Sequence, residues 1–326
     1  MRVWTTMFII IALVLFTAVG CVNVPRQGQE VTEPSAPIAY LTQGHAPFVS
    51  IFVQQIASGF LVPVSVYRKV GDPPPIQQAV ALLNGELGST EYRLLGGAPA
   101  KIQSVALHNG VLDIEMPPEF PSWVLRNQTE ERAFIGAVIL TFTAFDDVEA
   151  VRFMVLGRPI QGMVGGLNLS GRLVRPTLVN YPKVAPSHKI ALPHAVVYAR
   201  VKGSNVLVPV TRSLPRRDPA AALQALLEFA PADNLISPLP QGIRLRAVTV
   251  EGGVAIVDLD RRVVNLFLQG AFNEQIVVDA LVHTLLEFPE IRQVQFLIDG
   301  RVLGPVSANV DLSRPLSRTP INVITP

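Results

Sequence analysis

Between residues 48 and 313 short apolar runs follow two different periods. Val248 and Val250, then Val294, Phe296 and Ile298, recur at every second position, the spacing of a strand with one buried face. Between them Ile276, Ala280, Thr284 and Phe288 recur at every fourth position, with Val277, Leu281 and Leu285 alongside, the spacing of a helix. The opposite stripe of that helix is Gln275, Asp279, His283 and Glu287, so the helix is expected to lie on a sheet with this stripe in water. An upstream helix has Arg132, Gly136, Leu140 and Ala144 on the same stripe and carries no charge from 133 to 145. It is too short to span a bilayer. A helix that is apolar all round needs cover on both sides. Gly136, Leu140 and Ala144 are therefore a candidate interface, against the other half of the chain or against another protein.

The two helices belong to one pattern written twice. Val105, Gly110, Glu131, Ala137, Thr141, Phe145, Phe153 and Gly157 return 143 positions later as Val248, Gly253, Glu274, Ala280, Thr284, Phe288, Phe296 and Gly300, without a gap. A period this long implies a duplicated domain with a core in each copy, not a solenoid. Each copy opens with two apolar runs, 48–53 and 61–67 in the first, 196–200 and 206–212 in the second. Val62-Pro63-Val64 and Val208-Pro209-Val210 place a proline in the second run, which predicts a sheet edge because proline donates no ladder bond. Asp72-Pro73 and Asp218-Pro219 have the form of an N-cap and first helical residue. The helices behind them carry Ile76, Val80 and Leu83, and Leu223, Leu226 and Leu227. Asn109-Gly110 and Gly252-Gly253 suit two-residue hairpin turns. Each copy thus has the order β-β-α-β-β-α-β: an α+β fold made of two tandem copies of a small mixed-sheet domain. The first is expected at 47–170 and the second at 194–313, with a linker at 171–193 and a tail at 314–326 whose three prolines suggest a loose end.

Upstream of both copies, Met1 and Arg2 precede an apolar run from 8 to 19, and Ala18-Val19-Gly20 precedes Cys21, the one cysteine of the chain. This resembles a bacterial lipoprotein signal of residues 1–20 with lipid attachment (palmitate) at Cys21. Residues 21–46, rich in Pro, Gln, Thr and Gly, are expected to tether the folded body to the extracytoplasmic face of the cell membrane. A single cysteine excludes an internal disulfide and a cysteine-rich zinc site.

Charge narrows the partners. The 326 residues are 49% hydrophobic and 16% charged, with a net charge of +2, which gives no footprint for nucleic acid. Residues 47–170 hold eight Lys and Arg against eleven Asp and Glu, and residues 194–313 hold eleven against twelve. The linker carries Arg172, Arg175, Lys183 and Lys189 without an acid, and is expected to be solvated or to meet anionic headgroups.

Five segments, taken in order, resemble the GerMN domain family of sporulation and germination lipoproteins: DPAAALQALL at 218–227, GVAIVD at 253–258, VHTLLEFP at 282–289, VQFLIDG at 294–300 and VDLS at 310–313. The first copy is more divergent, with Asp113-Ile-Glu115 for Ile256-Val-Asp258 and Asp146 for Pro289. The resemblance implies a fold similar to the ring-building modules of sporulation channels. It also implies a place between the mother-cell and forespore membranes and a role in stabilising the complex that joins them. It brings no catalytic residue with it.

The residues themselves offer little chemistry. The histidines are His45, His108, His188, His194 and His283, and no Gly-x-Ser-x-Gly lies near any of them. His283 between Asp279 and Glu287 fits a surface ion-pair stripe better than an acid–base cluster. His188 and His194 lack further ligands for a metal, and Asp258, Asp260 and Asp299 lack calcium-loop spacing. Arg244, Arg246, Arg261 and Arg262 interleave with Asp258 and Asp260, as in ordinary surface pairing. No cofactor is called for. The expectation is a non-enzymatic, lipid-anchored assembly protein whose partners are other membrane or sporulation-complex proteins, copies of itself included. The alternative is an extracytoplasmic lipoprotein that binds a solute or cell-wall fragment between its domains.

Overall fold

In the first copy an antiparallel hairpin of β1 (Phe48–Gln55) and β2 (Leu61–Tyr67) leads into α1 (Pro75–Asn84) and a two-residue strand β3 (Tyr92–Arg93). A second hairpin, β4 (Ser104–His108) and β5 (Val111–Met116), precedes α2 (Gln128–Phe142) and β6 (Ala150–Val155). Four short strands follow: β7 (Arg158–Pro159), β8 (Met163–Val164), β9 (Leu167–Asn168) and β10 (Leu173–Val174). The second copy repeats the plan as β11 (His194–Val201), β12 (Leu207–Ser213), α3 (Pro219–Leu227), β13 (Leu235–Ile236), β14 (Leu245–Glu251), β15 (Val254–Leu259), α4 (Glu274–Leu285) and β16 (Gln293–Ile298). These elements come from a computed structural model that describes residues 48–324 apart from Glu86, 97–99, 123–127, 182–192, 265–273 and 303–310. The expected signal segment, Cys21, the tether, His45 and His188 lie outside the described residues.

The predicted order β-β-α-β-β-α-β is present in both copies, with the small strands β3 and β13 added. In the first copy β8 and β9 pair separately as a two-stranded ribbon, and each copy places its main strands in two small sheets. One is antiparallel, in the order β2-β1-β3 or β12-β11-β13. The other is mixed: β4-β5-β6 with β10 in the first copy, β14-β15-β16 in the second. In each mixed sheet the helix-connected pair, β5 with β6 and β15 with β16, is parallel, because the helix carries the chain back to its starting end.

Local chemistry accounts for most boundaries. Pro63 and Pro209 sit on β2 and β12, each at the end of its sheet order, as a strand with a missing donor must. Asn109 and Gly110 have φ of 48° and 75°, and Gly252 and Gly253 of 57° and 86°, the left-handed pairs that a two-residue hairpin needs. Asp218 caps α3 by accepting from the Ala221 N–H at 2.9 Å. Asp72 does not cap α1. Pro73, Pro74 and Pro75 carry the chain two residues further before the helix starts, and Asp72 Oδ2 accepts instead from the Lys69 N–H and Gln78 Nε2.

The apolar stripes face inward as expected, and the buried residues of the two copies join into one continuous cluster. Thr141 and Thr284, repeat equivalents, do the same job in each. Thr141 Oγ1 accepts from the Phe52 N–H of β1 at 2.8 Å, and Thr284 Oγ1 from the Tyr198 N–H of β11 at 3.0 Å. A threonine on a helix thereby satisfies a buried strand donor at the helix–sheet contact. The segment after 314, expected to be loose, is held in place. Leu316 exchanges two 2.8 Å bonds with Val294, and Thr319 and Ile321 are buried.

Candidate functional site at the junction of the repeats

Residues 177–180 leave the first copy and run along the edge of the second. The Thr211 N–H of β12 donates to the Val179 carbonyl at 2.9 Å, and the Val179 N–H donates to Thr211 Oγ1 at 2.8 Å. Residues 319–322 leave the second copy and return along the edge of the first. The Ser65 N–H of β2 donates to the Ile321 carbonyl at 3.2 Å, and the Ile321 N–H donates to Ser65 Oγ at 3.1 Å. Each copy thus lends its trailing segment to the open edge strand of the other, and two sheet edges that would otherwise invite foreign strands are covered.

Two asparagines fasten this exchange. Asn180 accepts from the Leu61 N–H at 2.9 Å and donates to the Leu61 carbonyl at 2.6 Å and the Pro209 carbonyl at 2.8 Å. Asn322 accepts from the Leu207 N–H and donates to the carbonyls of Leu207 and Pro63, each at 2.8 Å. Both have φ near 50°, a left-handed conformation that asparagine tolerates better than most side chains. The edge prolines donate nothing, but their carbonyls receive the far ends of the two clamps.

A polar network fills the space beneath the second segment. The Thr319 hydroxyl donates to Asp279 Oδ1 at 2.6 Å, and Gln275 Nε2 donates to the same oxygen at 2.8 Å. His283 Nε2 lies 2.9 Å from the Thr319 carbonyl. Arg175, two residues before the first segment, donates from Nη2 to Glu287 Oε1 at 3.0 Å and from Nη1 to the Leu140 carbonyl of α2 at 3.1 Å. The Tyr198 hydroxyl also donates to Glu287 Oε1 at 3.0 Å, and Arg175 stands over the Phe52 ring. One arginine therefore connects α2 of the first copy with the residues just past α4 of the second.

These contacts overturn two expectations. The stripe Asp279, His283 and Glu287 does not face water: Asp279 and His283 are each 3% exposed and are covered by the returning 319–322 segment. Arg175 is not a solvated linker residue, because Glu287 and the Leu140 carbonyl hold it in the junction. The electrostatics follow the burial. Burial pushes the Asp279 carboxyl up to about 7, against its bonds from Thr319 and Gln275. Burial pushes His283 down to about 3, with the Arg318 charge acting in the same direction. Burial opposes the charge on Glu287, yet Arg175 and Arg318 outweigh it and hold the carboxyl below its usual range. At neutral pH His283 is thus uncharged, and Glu287 is a carboxylate matched to a guanidinium.

Of the candidate interface residues, Leu140 is 2% exposed, packed within this chain, and Gly136 and Ala144 are half-buried. A Cβ at Gly136 would stand 3.7 Å from Leu61 Cδ1. The structure does not gather the histidines. His194 begins β11 and His283 lies in the junction. Among the described residues no group of three or more His, Cys, Asp or Glu could hold a metal, and no helix is long and apolar enough to cross a membrane. Arg246 pairs with Asp258 and Asp299, and Arg262 with Asp260, the surface pairing read from the sequence. Asn180, Asn322 and Thr319 were not among the candidate residues. Their signal is present all the same: Thr177-Leu-Val-Asn180 returns as Thr319-Pro-Ile-Asn322 at an offset of 142, one residue short of the main repeat.

Comparison with known proteins agrees with the duplication. The family model described as "Germane: Sporulation and spore germination" matches twice, at residues 53–161 and 196–304. The solved structure of the tandem GerMN domains of the sporulation protein GerM from Bacillus subtilis superposes with a TM-score of 0.65 at 18% identity, covering 85% of this chain and 98% of that one. The first GerMN domain of the same protein, solved alone, covers 39% of this chain at 26% identity with a TM-score of 0.33. No curated relative matches. With both repeats matched by its model, the chain belongs to the Germane family of sporulation and spore germination.

Proposed function

We propose that this chain is a non-enzymatic assembly protein, lipid-anchored through Cys21 on the extracytoplasmic face, that stabilises a complex between membranes in sporulation or spore germination. The observation that carries this reading is the reciprocal clamp of Asn180 and Asn322. It fixes two copies of one fold in a set geometry, which a scaffold needs in order to hold partners at a distance. The polar groups of the junction support the same reading. Asp279 pairs with Thr319 and Glu287 with Arg175, and their remaining bonds go to Gln275, Tyr198 and the Leu140 carbonyl. The Thr319 hydroxyl beside His283 already gives its proton to Asp279.

The test is native electrophoresis of membranes from the producing cell, with wild type beside Cys21→Ala. The wild-type chain is expected at the membrane in an assembly larger than itself, and the variant is expected to leave both. A wild-type chain that runs alone and unattached contradicts the proposal. Leu140→Glu is unsuitable as a probe of assembly, since Leu140 is packed within the chain and a buried charge there would cost folding first.

A further inference from the structure

The hairpin glycines Gly110 and Gly253 are repeat equivalents, and each lies under the side chain of a second equivalent pair, Glu149 and Arg292. A Cβ at Gly110 would stand 2.9 Å from Glu149 Cδ, and a Cβ at Gly253 would stand 2.8 Å from Arg292 Nη2. The seat is the same and the charge is reversed. In the first copy Glu149 is matched by Arg172 at 3.1 Å. In the second, Arg292 has no carboxylate within ion-pair distance among the described residues, and its polar contact is the Gly252 carbonyl at 3.4 Å.

Arg318 is a second cation peculiar to the second copy, where the first has Pro176 at the matching place. Its charge is felt by Glu287, but both oxygens of that carboxylate are already engaged by Arg175. Arg318 likewise has no ion pair among the described residues. Both arginines line one groove of about 490 Å³ between the copies, with Ala144 and Asp146 of the first copy on one wall and Phe288 and Ile291 of the second on another. Ser317 and Gln293 line it too, and Gln293 Nε2 donates to the Ser317 hydroxyl at 3.3 Å. The groove therefore holds two guanidiniums against the single carboxylate of Asp146.

We propose that this groove binds a phosphate group, held between the guanidiniums of Arg292 and Arg318 with Ser317 and Gln293 as further donors. Guanidinium forks match phosphate oxygens in pairs, and charge-assisted bonds of this kind are the strong ones. Gly253 is what lets Arg292 lie flat against the turn, so that one arm of the site is seated before any ligand arrives. A lipid headgroup and a soluble ester both present this phosphate chemistry. The site does not rest on the assembly reading, since a scaffold and a solute-binding lipoprotein could both carry it.

Calorimetric titration of the full chain with inorganic phosphate, beside the double variant Arg292→Gln with Arg318→Gln, tests the site. Wild type is expected to bind, and the double variant to lose about tenfold or more in affinity, given two lost charge-assisted contacts. Arg172→Gln in the first copy is expected to bind as wild type does. No binding by wild type, equal affinity in the double variant, or an equal loss in Arg172→Gln overturns the proposal. Flotation with phosphatidylcholine vesicles, with and without phosphatidylglycerol, then separates the sources. Extra flotation on the anionic vesicles that needs both arginines identifies a headgroup. Phosphate binding without that gain identifies a soluble ester.

Discussion

Asn180 and Asn322, 142 positions apart, make the same three side-chain bonds to opposite halves of the chain. Each takes the N–H and carbonyl of the residue that opens its own copy's edge strand, and the carbonyl of the edge proline in the other copy. The arrangement is a pseudo-two-fold clamp built by one gene duplication, and it has measurable consequences.

Truncating either side chain leaves a strand N–H and two carbonyls without protein partners. Asn180→Ala and Asn322→Ala are each expected to lower unfolding free energy by about 1–3 kcal/mol. Asn→Asp at either site keeps the acceptor, loses both donors, and should fall in the same range. Urea unfolding decides the matter, and a change under a few tenths of a kcal/mol at both sites would show that the clamp is ornamental.

Among the described residues Glu287 is the carboxylate bound to half-buried Arg175. Glu287→Gln leaves that guanidinium unmatched, and a loss of about 2–4 kcal/mol is expected, trimmed for the partial exposure of Arg175. Pairing Arg175→Leu with Glu287→Leu should restore part of the loss, because it removes both desolvated charges together. A double variant as unstable as the sum of its parts would contradict this account of the pair.

Asp279 and His283 set opposite pH slopes. Asp279 holds its proton more tightly folded, so its contribution is full below 3.8 and is lost as pH rises through about 7. His283 does the reverse: its contribution is present above 6.5 and is lost as pH falls toward about 3. Between 4.5, below which Glu287 begins to matter, and 6.5, the two nearly cancel. Asp279→Asn leaves the His283 slope alone and should therefore make stability fall as pH falls across that window, with a slope approaching about 1.4 kcal/mol per pH unit. His283→Leu, the residue of the first copy at that position, should make it rise as pH falls. Chemical denaturation at stepped pH reads both, and parallel profiles for the two variants would refute the opposition.

Removal of residues 318–326 uncovers the β2 edge, since Ile321 and Ile324 provide its outer bonds to Ser65. The shortened chain is expected to self-associate through that edge, as exposed strands do. Sedimentation should then show concentration-dependent species that wild type lacks; a monomer throughout would mean the edge is protected by something else.

Period and offset made much of this fold legible. The 143-residue repeat, the proline edges and the Asn109-Gly110 and Gly252-Gly253 turns all rest on local rules, and the structure follows them. What stayed hidden depends on where distant segments meet. Asp279 and His283 occupy a polar stripe that belongs in water by pattern, yet a returning segment forty residues away in sequence covers them. The prolines after 314 signalled a loose end by composition, but Pro315 and Pro320 flank residues whose backbone bonds go to Val294 and Ser65. The capping aspartate failed in the first copy because three successive prolines displaced the helix start.

The exchanged segments are expected to make the two copies one folding unit. Scanning calorimetry of residues 22–326 reads this as the number of unfolding transitions. One transition with equal calorimetric and van't Hoff enthalpies is expected, which splits into two when Asn180→Ala and Asn322→Ala are combined. Two separate transitions in the wild-type chain would contradict it.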